Sequence, residues 1–418
     1  MLAAWATPYF TIIKILWANR LMTAPAKLPN PYRDIYEEFV DNAAFFWVLR
    51  NSQLTQPHVF ADNIRELDAR LQANLDGILL SLDDSWEIIE EAASQFEQGG
   101  EAFVMAATAY RSEDVAKIQR ATEFGVTNEQ TFKGLTSALA WLPGARVHPW
   151  LKQFFNSKNL DHKWVAIATC SLRSEDPAQY LNQIISREDC RAHLPLYARC
   201  LRLIGELKRQ DLLAELTAAI THDDPNVKFW ALWSSMLLGQ RQYAELFRPY
   251  IFEENPLQAK ALQMAFRVLP LAVARAWIGE LAQKPETTRL AIQACGVLGD
   301  PVAVDWLIAQ MENDEFARVA GEAFYLNSGI NLTDATLHRD APAQNVTDED
   351  QELSPDFSYD DCLPWPNVTT VAAAWQAKKS AFEAGQRYFL GSANAPTGAI
   401  RTDLASRYSR YQQLFATV

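Results

Sequence analysis

Between residues 289 and 311 the chain reads RLAIQACGVLG and then DPVAVDWLIAQM. In both halves apolar residues recur every three to four positions, the spacing of one buried stripe on an α-helix. Gly299 stands where a helix can end in the left-handed conformation, and Pro301 falls in the first turn of the next helix. The unit is therefore a helix, a tight turn and a second helix. An earlier copy enters at Asp224-Pro225 and continues VKFWALWSSMLLG over 227–239. From about residue 128 a basic residue opens each successive apolar helix, at Lys133, Lys163, Arg199, Lys228, Lys260, Arg289 and Arg318. The interval is roughly 30 residues, one helix pair per repeat.

The flanks differ. Ahead of the array, helical periodicity over 32–50, 59–80, 85–97, 100–110 and 113–124 predicts an N-terminal helical domain over 22–127, with a break at Pro57 and His58. Residues 1–21 are apolar but interrupted by Lys14, short for a membrane span, and without the charge pattern of a signal peptide. The expectation is an artefactual or disordered leader, with the folded chain starting at Met22. Behind the array, residues 331–366 carry nine acids against Arg339 and read as an acidic, Pro-containing linker. Residues 367–418 then form a helical cap, with one helix over 367–384 ended by Gly385 and a last one near 401–415. The predicted fold is all-α: an α-solenoid of HEAT-like helix pairs with an N-terminal helical domain and a C-terminal helical cap.

Composition narrows the function. Asp plus Glu outnumber Lys plus Arg by 51 to 38, a formal charge of −13, which argues against a general nucleic-acid binder. The cysteines, Cys170, Cys190, Cys200, Cys295 and Cys362, show no metal-type spacing and read as free thiols of a cytoplasmic protein. The six histidines are scattered, and His222-Asp223-Asp224 reads as a helix N-cap. No nucleophile elbow, phosphate loop or dinucleotide fingerprint is present. Thirteen tryptophans are many for this length. Trp230 and Trp233, three apart on one helix, and Trp306 are candidate protein-binding residues. The second helix of each repeat is expected to line the concave side. Asp348, Glu349 and Asp350 are candidates for covering a basic surface of a partner.

Two resemblances follow from these strings. The repeats, with their Leu-Gly-Asp-Pro turns, resemble the short HEAT-like repeats of the phycobilin-lyase type. Taken together, NAAFFWVLRNSQLTQPHVF at 42–60, ELDARLQANLDGILL at 66–80, the repeats and the tail FEAGQRYFLG resemble an uncharacterised bacterial HEAT-repeat family whose genes are often found in type VI secretion clusters. That family has no assigned catalytic residues. Within the tail, Trp375, Phe382, Gly385, Arg387, Tyr388 and Gly391 are expected to dock the cap on the last repeat. The resemblance implies a cytoplasmic, non-catalytic adaptor or scaffold. Its partner would be a toxin, spike or sheath component encoded in such a cluster, with no cofactor, metal or nucleic acid, and no membrane unless residues 1–21 are real. An immunity protein that neutralises a toxin is the alternative. An enzyme of the glycosylase or lyase type is disfavoured, because a glycosylase needs a basic groove.

Overall fold

The computed structural model describes residues 31–54, 56, 59, 61–342 and 360–393. The leader 1–21, Met22, Pro57, His58, most of the acidic linker and the expected helix at 401–415 lie outside the described residues. Three N-terminal helices come first: α1 (Arg33–Gln53), α2 (Ala61–Leu79) and α3 (Leu82–Phe96). Pairs follow: α4 (Gly99–Ser112) with α5 (Val115–Gly125), α6 (Glu129–Trp141) with α7 (Gly144–Asn156), and α8 (Leu160–Arg173) with α9 (Gln179–Ser186). After the short α10 (Glu188–Ala192) come α11 (Leu194–Glu206) with α12 (Leu213–Ala219), and α13 (Pro225–Leu237) with a 3₁₀ turn and α14 (Arg248–Phe252). The series closes with α15 (Gln258–Val268) and α16 (Leu271–Leu281), α17 (Pro285–Leu298) and α18 (Val304–Gln310), and α19 (Asp314–Ser328). Beyond it lie β1 (His338–Arg339), β2 (Trp365–Pro366), α20 (Val368–Lys378), β3 (Tyr388–Phe389) and β4 (Ser392–Ala393). The chain is an all-α helical-repeat solenoid.

Local chemistry sets the helix ends. Asn128 and Thr131 form a reciprocal capping box at the start of α6, and Asp224 accepts from the Val227 amide ahead of α13. Gly299 ends α17 at φ +71°, and Pro301 opens the 3₁₀ turn that leads into α18. The carbonyls left bare at helix C-termini are taken up by side chains from neighbouring pairs. Arg146 donates to the Arg111 carbonyl of α4 at 3.0 Å. Arg173 donates to the Leu139, Ala140 and Leu142 carbonyls at the end of α6. Cations suit this end of the helix dipole as well.

First helices stack side by side from α4 through α19, and second helices pack outside them. One core runs from Val40 to Leu298, and a second around Phe316, Phe324 and Trp375 finishes the array. The stacked series therefore begins at α4, one pair before residue 128. Helix α4 is buried nearly all round, between α1 and α6. It carries Glu101 in place of an opening basic residue, so the marker of the later repeats is missing. First helices approach closely through small residues. A Cβ on Gly134 would sit 2.2 Å from the Gly99 carbonyl oxygen, and one on Gly205 would sit 2.5 Å from Ser234 Oγ.

Candidate functional site

Packed on three sides, each first helix keeps one narrow line of less buried residues, at helical spacing. On α6 the line is Lys133, Ser137 and Ala140; on α11 it is Arg199, Arg202 and Glu206; on α15 it is Lys260, Gln263 and Arg267. Trp164 on α8, Arg289 on α17 and Arg318 on α19 hold corresponding places, and on α13 the buried Trp230 and Trp233 take them. Side by side, these lines make one face of cations interleaved with indole rings.

That face is concave. Lys133 and Lys260 are separated by α8, α11 and α13, so a straight stack at roughly 8–10 Å per helix would set them far apart. Yet the charge of Lys133 reaches Lys260. Desolvation lowers the Lys260 pKa below the ordinary lysine value, and Arg202 and Lys133 push it the same way. Lys260 keeps solvent contact while protein surrounds much of it, as on the inside of a curve. Desolvation also brings Arg199 and Arg267 down to about 10, leaving both protonated at neutral pH. First helices touch one another along the series while second helices touch mainly their own first helix, as on the inside and outside of a curve. The expectation that second helices line the concave side is therefore corrected: first helices do. The small-residue contacts at Gly134 and Gly205 draw the inner layer together.

Trp230 and Trp233 do share a face, with rings 5.4 Å apart and nearly perpendicular. They are 8% and 6% exposed, so they are mostly wall and only marginally contact surface. The Arg202 guanidinium lies over Trp230 at 4.6 Å, and Arg202 also pairs with Glu206 at 2.7 Å. Trp306 is half-buried on α18, packed against both cores and away from this face. Not every opening cation joins the face: Lys163 is buried and donates to the Phe155 carbonyl, and Trp164 takes its place, stacked on Phe132.

At the C-terminal end of the face the chain meets its own acids. Arg289 pairs with Asp360 at 2.5 Å and Arg318 with Asp361 at 3.4 Å. Trp365 lies under the guanidinium groups of Arg318 and Arg339. Strand β1 pairs antiparallel with β2 and fixes this segment against α19. The described end of the acidic run is thus matched to arginines of the same chain. Asp348, Glu349 and Asp350 lie outside the described residues.

The tail motif is a strap over three helix ends. Arg387 donates to the Phe266, Arg267 and Leu269 carbonyls at the end of α15. The Tyr388 amide donates to the Gly299 carbonyl at 2.7 Å, and the Leu390 and Gly391 amides donate to Leu326 and Asn327 at the end of α19. Gly299 must be glycine here, since a Cβ would sit 2.1 Å from the Tyr388 carbonyl oxygen. Trp375 is buried against Phe324 and Phe382, and its Nε1 donates to Asp305 at 2.9 Å. Phe382 packs in turn on Tyr388. The helix expected to run to 384 stops at Lys378, with a 3₁₀ turn to Ala381. Phe382 must become extended to drop its ring between Trp375 and Tyr388, and Gly385, at φ +91°, lies in the turn beyond.

Other candidate chemistry resolves into structure. Asp224 caps α13, and His222 accepts from the Asp224 amide at 3.0 Å. Cys170, Cys190, Cys200 and Cys295 are buried free thiols, and Cys362 is exposed. Burial pushes the Cys170 and Cys295 thiols up to about 12, away from nucleophilic use. Among the described residues no three His, Cys, Asp or Glu side chains are grouped to hold a metal, and no helix is long and apolar enough to cross a membrane. Sequence reasoning missed Arg202 and the cationic surroundings of Lys260; the available signal was a charge set inside an otherwise apolar helix. Comparison of the chain with protein-family models, with curated proteins and with solved structures gives no match in any of the three.

Proposed function

We propose that this chain is a non-catalytic protein-binding scaffold, an adaptor that works beside a bacterial type VI secretion system. The observation supporting the binding role is the concave first-helix face, where Lys133, Arg199, Arg202 and Lys260 stand among tryptophans. A solenoid offers such a face as an extended groove whose shape is held by the core behind it. Cations gathered on one face gain from an anionic group brought to them, while the −13 charge of the chain opposes long polyanions at a distance. The secretion context rests on the front and tail strings alone.

The test is affinity purification of the full chain from its native cell, read by mass spectrometry and followed by reconstitution with the purified partner. A stoichiometric complex with one spike or sheath component supports the adaptor. A complex with a toxin makes it an immunity protein. Co-purifying nucleic acid, or turnover of a substrate, sinks the scaffold reading.

A further inference from the structure

The concave face already holds one acidic peptide, and that peptide belongs to the chain. Asp360 and Asp361 are consecutive, and they pair with Arg289 and Arg318 on consecutive first helices. An aromatic four residues on, Trp365, stacks on the second of those arginines. Asp360 and Asp361 lie in a turn closed by the Leu363 amide, which donates to the Asp360 carbonyl at 2.9 Å, and the helices they serve stand roughly 8–10 Å apart. Adjacent carboxylates, each with its own side-chain reach, span these neighbouring helices.

The same face continues past α17 with cations that have no such complement. Lys260 on α15 has no hydrogen-bonded or ion-paired acid among the described residues, and its electrostatic neighbours are Arg202 and Lys133, both cations. Lys133 and Arg202 have acidic partners, but only on their own helices, at Glu129 and Glu206. Arg199 buries its Nε without a hydrogen-bond acceptor. Trp230 lies beneath Arg202 in the same stretch. Lys260 thus faces two cations and no acid among the described residues, a repulsion that an incoming carboxylate relieves.

We propose that the concave face from α6 to α15, with Lys260 at its centre and Arg202, Lys133 and Trp230 around it, is a docking site for an acidic, aromatic-bearing segment of a partner protein. The site repeats the recognition that Asp360, Asp361 and Trp365 make at α17 and α19. A partner carboxylate meets the Lys260 ammonium, a second meets Arg202, and an aromatic ring packs along the indole wall. The proposal rests on the scaffold reading and deepens it by naming the chemistry of the partner.

The probe is a fluorescein-labelled peptide carrying Asp-Asp-Ser-Leu-Pro-Trp, titrated against the full chain with anisotropy as the readout. Binding that weakens with added salt is expected, with a loss of at least about tenfold in Lys260→Glu and a smaller loss in Lys260→Gln. Arg202→Gln is the second variant, in case reversal at 260 disturbs folding, and circular dichroism checks each protein. A peptide with Asn-Asn in place of Asp-Asp should not bind. Equal binding to wild type and Lys260→Gln with folding intact overturns the site. Competition by short duplex DNA at equal charge reassigns the face to polyanions and also overturns it. A gain in affinity on neutralising Asp348, Glu349 and Asp350 would overturn it by giving the face to the chain's own acids. A purified partner that binds Lys260→Glu as tightly as wild type would leave the scaffold reading standing while this inference fails.

Discussion

At α17 and α19 the cations of the concave face meet carboxylates from a distant segment of the chain, whereas from α6 to α15 Lys133 and Arg202 meet only acids of their own helices and Lys260 meets none among the described residues. Both stretches are built alike, from first helices stacked through small side chains with a charged or indole residue on the inner line. What differs is the cover. Asp360, Asp361 and Trp365 neutralise one end, and the strap from Phe382 to Gly391 ties the carbonyl ends of α15, α17 and α19 together. These contacts hold the covered end, and the stretch proposed for docking lacks them. A repeat array can differ in this way between stretches because each pair contacts mainly its neighbours.

The largest test of this contrast removes the anchor of the covered end. Trp375→Ala should cost about 3–5 kcal/mol, as expected for deleting a buried indole. Hydrogen exchange should show the loss confined to α17–α20, with α6–α11 protected as before. Equal loss of protection along the whole array would mean that the two stretches are not energetically distinct. Arg387→Ala comes next, at about 2–3 kcal/mol, because three helix-end carbonyls lose a charged donor at once. Its mark should be faster exchange at the end of α15, and an unchanged urea midpoint would deny the strap its role.

Asp360→Asn should cost about 1–3 kcal/mol by leaving Arg289 without its ion pair. It should loosen the β1–β2 segment before any helix, as limited proteolysis would reveal. Acid should act on the same end. Hydrogen bonds from Lys379 and Trp375 hold the Asp305 carboxyl below its unfolded value of 3.8. Its contribution is therefore fully present above 3.8 and is lost as pH falls through the lower folded value. Exchange in α20 should rise across that acid window, and Asp305→Asn should flatten the rise.

Much of this architecture can be read from the chain, for identifiable reasons. Helix pairs show as apolar spacing broken by Gly299-Asp300-Pro301 or Asp224-Pro225, because caps are local chemistry. The tail string stands out as a motif, but its targets do not. Arg387 reaches carbonyls more than a hundred residues earlier, and only folding brings them together. The close approach of first helices is hidden too, since it rests on contacts between helices such as Gly205 against Ser234. The inner line is ambiguous at Lys163 and Trp164. Neighbouring residues point about 100° apart, so the exact register decides that the lysine turns to Phe155 and the indole turns inward. Asp348, Glu349 and Asp350 are plain in composition, but composition does not say what acids touch.

The smallest expected effect bears on the open stretch. Desolvation and two cationic neighbours depress the Lys260 pKa, so folding disfavours its charged form. In the interval between the folded value and 10.5, the unfolded chain binds more protons than the folded one, so stability rises with pH there. At neutral pH the lysine is charged in both states and its destabilisation is fully present. Lys260→Met should therefore hold or slightly raise stability at pH 7, within about 0.5 kcal/mol for a residue in contact with solvent. It should also remove the rise toward alkaline pH attributable to that residue. A substitution that stabilises the fold while abolishing capture of the acidic peptide would separate binding from structure at this position. A clear loss of stability would instead place Lys260 among the groups that hold the array together, as Arg289 does at the covered end.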